Sequence, residues 1–386
     1  GGRGLLDYGH NNRVCREALL DYIESGGITH GLDMHTKAKA NFLKSFEDLI
    51  LKPRNMDYVV QFTGPTGANS VEAAIKLARK VTGRSNVISF TNGFHGCTLG
   101  ALALTGNEHH RGGAGVSLND VTRMPFDGYM GKGVDTSELL EKMLSDASSG
   151  IDKPAAIITE TLQGEGGLNL ASAEWLQSLA AICKKHEIMF IVDDIQSGCG
   201  RTGTFFSFED YGIQPDMITL SKSLSGYGLP FAVTLIARGL DEWSPGEHNG
   251  TFRGNNHAFV TATAALKKYW SDDSFSKDIR KKASTVRSHL MRMSNEFGLG
   301  QVSLKGKGLM QGIDVGGADI SRAVVDEMFE NGVIIETCGP NDEVVKCFPP
   351  LTITDEELEE GMLVLKQSLR KVMKRLDQED SLRKAS

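Results

Sequence analysis

Three observations predict an α/β protein, with a large domain built on a mostly parallel, helix-covered sheet and a small C-terminal α+β domain. First, short apolar runs end in polar or charged residues. Ile188-Met189-Phe190-Ile191-Val192 leads into Asp193-Asp194-Ile195-Gln196, and Asp216-Met217-Ile218-Thr219-Leu220 leads into Ser221-Lys222-Ser223. Runs without polar alternation suit strands covered on both faces. Second, such runs alternate with amphipathic stretches of helical length, the pattern of right-handed β-α-β winding. Third, past residue 297 the pattern changes to strand-like runs mixed with helices, which fits a separate α+β unit.

The chain opens Gly-Gly-Arg-Gly-Leu-Leu-Asp-Tyr-Gly-His without an initiator Met and reads as the interior of a domain. A preceding N-terminal segment is therefore expected, and residues 1–50 are expected to pack with the small domain. Residues 12–50 read as helical, with Leu19, Leu20, Tyr22 and Ile23, then Phe42, Leu43, Phe46 and Leu49 as apolar positions. A strand over 58–62 runs into Thr63-Gly64-Pro65-Thr66-Gly67-Ala68-Asn69-Ser70, and a helix over 70–81 buries Ala73, Ala74, Leu77 and Ala78. A strand over 86–90, a Thr91-Asn92-Gly93 turn and a looser glycine-rich stretch to about residue 133 follow. Strand 155–159, helix 173–186 and strand 188–192 form a β-α-β unit. A long helix over 256–297 closes the large domain, which is set at 51–297. The small domain, 298–386, holds strand-like runs at 308–315, 332–336 and 344–348 and helices at 319–331 and 355–375. Its charged tail from Arg375 is expected to fray.

Composition excludes several classes. A net charge of −7 with no dense basic run before the tail argues against nucleic acid or an anionic membrane surface. No stretch is long and apolar enough to read as a transmembrane helix, and no signal peptide is evident. The six cysteines are scattered without a C-x-x-C pair, which suits reduced thiols in the cytoplasm and supplies neither a disulfide framework nor a zinc site. No metal is expected. Glycine is abundant, 44 of 386 residues, as expected where many strand-to-helix joints lie against a ligand.

Parallel strands present functional groups at their carboxyl ends. Asp193 at one strand end and Lys222 beyond its neighbour are the minimum equipment for pyridoxal 5′-phosphate (PLP), a lysine to form the Schiff base and an acid to keep the pyridine nitrogen protonated. Taken alone, the pair also reads as a surface ion pair. The turn Thr63–Ser70 joins a strand to a helix, so the amides of Gly67 and Ala68 can hold a phosphate, with the hydroxyl of Thr66 or Ser70 as a helper. Tight turns need glycine in any case, so this turn is weak evidence by itself. Phe94 is either a ring stacked on a flat cofactor or a core residue, and His95 either a cofactor contact or a structural histidine. Glu160-Thr161-Leu162-Gln163-Gly164-Glu165-Gly166-Gly167 is either a loop that swings a charge over a site or an acidic surface turn. Gln196 can reach a phenolic oxygen on the cofactor, Arg201 reads as structural, and Thr251-Phe252-Arg253-Gly254 is a further phosphate candidate.

Together these pieces resemble the class III (ω-amino acid) aminotransferases of PLP fold type I (aspartate aminotransferase-like), from Tyr8-Gly9-His10 to Phe348-Pro349-Pro350-Leu351. The most specific stretch runs from Val192 to Gly203, where the family pattern is D-E-x-Q-x-G-x-G-R-T-G and Asp194 stands in place of the usual Glu. The resemblance implies Asp193 as the pyridinium partner, Gln196 as the contact to the ring oxygen and Lys222 as the Schiff-base lysine. It further implies Gly67 and Ala68 at the phosphate and Phe94 as the stacking ring. Thr251 would reach the phosphate of a neighbouring subunit, which implies a homodimer or higher homo-oligomer with shared active sites. Many members place an arginine three residues before the Pro-Pro turn, where it clamps a substrate carboxylate and pairs with a mobile glutamate. Here those positions hold Lys346 and Glu165, and a lysine offers a point charge in place of a bidentate fork, so either Lys346 receives the carboxylate or another cation does, such as Arg253 or a residue of the preceding segment.

Thr91–Gly96, Met124–Tyr129, Ser221–Pro230 and Asn249–Gly254 resemble one branch of that family, in which L-glutamate donates its amino group to L-aspartate 4-semialdehyde on the way to ectoine. The products there are L-2,4-diaminobutyrate and 2-oxoglutarate. The alternatives are another ω-amino acid aminotransferase, of ornithine or 4-aminobutyrate type, or an aminomutase of the same fold. A non-catalytic protein of this fold would have lost Lys222 or Asp193, and both are present. A nicotinamide dehydrogenase would need G-x-G-x-x-G after the first strand, which Gly64-Pro65-Thr66-Gly67 does not supply.

Overall fold

The computed structural model describes residues 4–131, 133–300 and 303–385. Its first elements are α1 (Arg13–Glu24), α2 (Lys37–Phe46), β1 (Tyr58–Phe62), α3 (Gly67–Thr82), β2 (Val87–Phe90), α4 (Leu99–Leu104), α5 (Glu108–Gly112) and β3 (Val121–Met124). There follow α6 (Thr136–Ser145), β4 (Ala156–Thr159), β5 (Leu162–Gln163), β6 (Asn169–Leu170), α7 (Ala173–His186), β7 (Met189–Asp193), β8 (Met217–Leu220) and β9 (Val233–Ala237). The last are α8 (Asn256–Tyr269), α9 (Ser274–Glu296), β10 (Leu304–Lys307), β11 (Met310–Asp314), α10 (Ala318–Glu330), β12 (Glu336–Cys338), β13 (Val344–Cys347) and α11 (Asp355–Ala385).

Seven strands form the large sheet in the order β1-β9-β8-β7-β4-β2-β3. From β8 to β3 every pairing is parallel, and β9 runs against both of its neighbours. The carboxyl ends of β1, β2, β4, β7 and β8 therefore open along one edge. That edge is where open α/β sheets carry their sites. Strands β2, β4 and β8 are buried throughout, which explains their lack of polar alternation.

Helix α3 shows how the sequence sets an element. Thr66 caps it by accepting the N–H of Asn69, and Gly83 ends it in the left-handed region at φ 66°. Its Val71, Ala74, Ile75, Leu77 and Ala78 bury against Val87, Ile158, Ile191, Met217 and Ile236 of the sheet. Each large apolar side chain hidden in this way contributes about 1.5–3 kcal/mol. On the other face Phe42 of α2 stands 5.2 Å from Phe231 and 5.8 Å from Phe259 of α8, ring centre to ring centre. The second sheet, β10-β11-β13-β12, is antiparallel throughout.

Several elements differ from the sequence expectation. The 12–50 stretch is broken, because Gly26 takes φ 69° after α1 and Thr36 caps α2 anew. The glycine-rich stretch before residue 133 holds α4, α5 and β3. The long helix over 256–297 is two helices. Trp270 leaves the helical path to pack on Phe205 and to donate its indole N–H to Tyr8, and Asp272 accepts the N–H of Ser274 where α9 begins. The final helix runs to Ala385, past the expected end at 375.

Candidate active site

Asp193, the last residue of β7, lies opposite Thr219 of β8. Its Oδ1 accepts from Thr219 Oγ1 at 3.0 Å and from the Ile195 N–H at 3.2 Å, and its Oδ2 lies 2.7 Å from Nδ1 of His95. Acid and imidazole are both buried. Burial works against a charged His95, but the hydrogen bond and charge of Asp193, with Glu160 beyond, outweigh it and raise its pKa above the ordinary value. His95 is thus a satisfied partner of the acid and also lines the cavity beside it.

Glu160 follows β4 and accepts the N–H groups of Phe94 at 3.0 Å and Gly164 at 3.2 Å. Burial pushes its pKa from 4.5 to about 7; His95 and the two amides oppose that rise, and Asp193 adds to it. A raised carboxyl contributes stability that is fully present below pH 4.5 and is lost as pH climbs through about 7. The loss is on the order of 3 kcal/mol. Urea titrations of the cofactor-free protein are expected to show this fall, and Glu160→Gln is expected to flatten it. The residual slope belongs to the other raised groups, Asp194 at about 6 with Asp7, Asp216 and His95. An unchanged slope in the variant would contradict this assignment.

Lys222 comes two residues after β8 and takes φ 49°, in the left-handed region that side chains avoid. Such strain costs on the order of 1–3 kcal/mol and clusters at functional sites. Burial draws its pKa below the ordinary lysine value and Lys346 adds to this, while Asp193, Glu165 and Glu160 oppose it.

Lys222, Asp193, His95, Phe94, Gly67, Ala68, Gln196, Glu160 and Glu165 line one cavity of about 210 Å³, with Gly96 and Ile195. The sequence therefore marked residues from five separate segments that the fold brings together. The first N–H groups of α3 have no partner within the helix, and Gly67 and Ala68 carry them to the cavity wall. A Cβ at Gly67 would meet Ile195 at 2.9 Å, so glycine keeps this wall open. Backbone donors for a phosphate, an aromatic ring, a buried acid and a desolvated lysine suit PLP. Ser70 is not a helper: its hydroxyl donates to the Val233 carbonyl and meets Thr234, both buried. Thr66 spends its oxygen on the helix cap.

Gln196 holds Glu165 and Lys346 together. Its Nε2 donates to Glu165 Oε1 at 2.9 Å, and its Oε1 accepts from Lys346 Nζ at 3.1 Å. Lys346 Nζ lies 3.4 Å from Glu165 Oε1. Thr251 is exposed and stands outside this chain's cavity, in a turn whose Gly250 approaches Gly64. Arg201 is fully buried, pairs with Asp7 and donates to the carbonyls of Leu309 and Pro349. Sequence reasoning did not mark Thr219 or Glu336 for the site; Thr219 was legible only as a strand residue, and Glu336 only as the end of a strand.

A family model described as aminotransferase class-III matches residues 7–369. A protein of Vibrio parahaemolyticus named diaminobutyrate--2-oxoglutarate transaminase is 58% identical over 371 residues, 96% of this chain and 88% of that protein. A Vibrio cholerae protein of the same name is 58% identical over 368 residues, covering 95% and 89%. Among solved structures, a taurine:2-oxoglutarate aminotransferase from Bifidobacterium kashiwanohense, in complex with PLP and glutamate, superposes with a TM-score of 0.82 at 23% identity, covering 96% of this chain and 87% of that one.

Proposed function

The chain belongs to the class-III aminotransferase family, and from that premise we propose that it transfers the amino group of L-glutamate to L-aspartate 4-semialdehyde, giving L-2,4-diaminobutyrate and 2-oxoglutarate. It is an aminotransferase, and its cofactor is PLP. The observation that carries the narrower reading is the 58% identity, over 96% of the chain, to a relative named for diaminobutyrate and 2-oxoglutarate. On this reading the enzyme serves ectoine biosynthesis. Ornithine or 4-aminobutyrate as preferred amino donor, or aminomutase chemistry, is the alternative.

PLP, when bound, supplies an electron sink for the carbon that loses its proton. The remaining work falls to the residues of the chain. The amides of Gly67 and Ala68 would hold the phosphate, and Phe94, on the same cavity wall, would offer a face to the ring. Asp193 keeps the ring nitrogen protonated, held by Thr219, Ile195 N–H and His95 so that it cannot turn away. Lys222, with its pKa lowered by burial, anchors the cofactor and, as a free amine, takes a proton at one carbon and returns it at another. Gln196, on the same wall, would hold the ring oxygen. Lys346 receives a substrate carboxylate when Glu165 moves aside.

We also assign a homodimer with shared sites. Thr251 adjoins a surface where Ile28, Met34 and Phe252 are 53%, 59% and 63% exposed. The two segments are joined by the Gly31 N–H to Gly254 carbonyl bond and by His30 edge-on to Phe252. A second copy covering this apolar face would bring Thr251 to the neighbouring phosphate turn. Among the described residues no helix is long and apolar enough to cross a membrane. All six cysteines are free and five are buried, which supports a reducing, cytoplasmic setting.

The test is steady-state transamination of 2-oxoglutarate with L-2,4-diaminobutyrate, L-ornithine and 4-aminobutyrate as donors. L-2,4-Diaminobutyrate is expected to give the highest kcat/KM, with the parallel reciprocal plots of a ping-pong scheme. Preference for another donor would keep the aminotransferase and remove this substrate.

A further inference from the structure

Lys346 is a fully buried ammonium flanked by two carboxylates of different freedom. Antiparallel pairing sets Glu336 of β12 directly opposite Lys346 of β13. Residues paired in this way present their side chains on one face, and here Nζ and Oε1 are 3.7 Å apart. The backbone of a sheet fixes that neighbour. Glu165 lies 3.4 Å from the same Nζ, but on the turn between β5 and β6 with Gly164, Gly166 and Gly167 about it. Gln196 Oε1 at 3.1 Å brings a third acceptor to a group with three N–H donors, and the Phe348 ring lies 4.6 Å from Nζ.

A carboxylate arriving at Lys346 takes the place of Glu165. A buried cation that loses its anion is strongly destabilised, and a flexible lysine stem can follow the departing partner. A carboxylate fixed in the sheet prevents both. We propose that Glu336 is a positioning residue for substrate carboxylates, one that holds Lys346 Nζ in place while Glu165 exchanges with the carboxylate of the amino or keto acid. The inference rests on the aminotransferase reading, with Lys346 as the receiving cation.

The experiment is steady-state kinetics of PLP-loaded Glu336→Gln with 2-oxoglutarate varied, beside Glu336→Asp, Lys346→Arg and the Lys346→Arg, Glu336→Gln double variant. In Glu336→Gln the KM for 2-oxoglutarate is expected to rise on the order of tenfold, the loss falling on KM rather than kcat. Glu336→Asp is expected to recover most of it. In the Lys346→Arg background the same change is expected to cost less than about threefold, because a planar guanidinium needs less tethering. An unchanged cofactor absorbance spectrum separates these effects from misfolding. A KM that does not move, or a loss shared equally by kcat and not recovered by aspartate, would overturn the role of Glu336. Failure of the unaltered enzyme to transaminate any donor would strike the parent reading instead.

Discussion

Lys222→Ala is expected to lower turnover by about 10⁴-fold or more while the fold survives. The expectation follows from what surrounds the amine. Lys222 shares one cavity with Asp193, Glu160 and Glu165, and burial holds its proton less tightly than in water. An amine whose proton is held less tightly can both accept and return one, and alanine can do neither. The backbone adds a separate, opposite expectation for stability. Lys222 sits at φ 49°, where glycine is unstrained, so Lys222→Gly is expected to be more stable than the parent by about 1 kcal/mol and equally inactive. Initial rates and urea midpoints for the two variants check both halves. Retained turnover in either would remove Lys222 from the chemistry.

Asp193→Asn is expected to cost about 10²–10³-fold in kcat. The substitution keeps the shape of the side chain, and Thr219 Oγ1 and the Ile195 N–H can still reach its oxygen. It removes the charge that keeps a ring nitrogen protonated and that raises the pKa of His95. The pH dependence of kcat/KM should shift together with the loss of rate. A rate within about twofold of the parent would assign Asp193 to structure alone.

The sequence made the acid and the lysine legible because each follows a short apolar run that reads as a buried strand. Both strands, β7 and β8, lie side by side with Asp193 opposite Thr219. Other parts depended on tertiary contacts. Strand β9, Val233–Ala237, follows a glycine-rich turn and runs against the rest of the sheet, so no β-α-β spacing announced it. The break after Tyr269 was hidden by apolar periodicity, although Ser271, Asp272, Asp273 and Ser274 are residues that favour helix starts. Ser70 looked free to bind phosphate because the Val233 carbonyl that takes its hydroxyl belongs to that same unmarked strand. Glu336 became visible only with the register of the small sheet, which pairs it with Lys346.

The most direct test of the account is the absorbance of the PLP-loaded enzyme before and after L-2,4-diaminobutyrate is added without a keto acid. The visible cofactor band is expected to bleach, and to return when L-aspartate 4-semialdehyde is supplied in the absence of 2-oxoglutarate. A band that ignores L-2,4-diaminobutyrate while bleaching with another amine would contradict the substrate. No band after PLP is added would contradict the site itself.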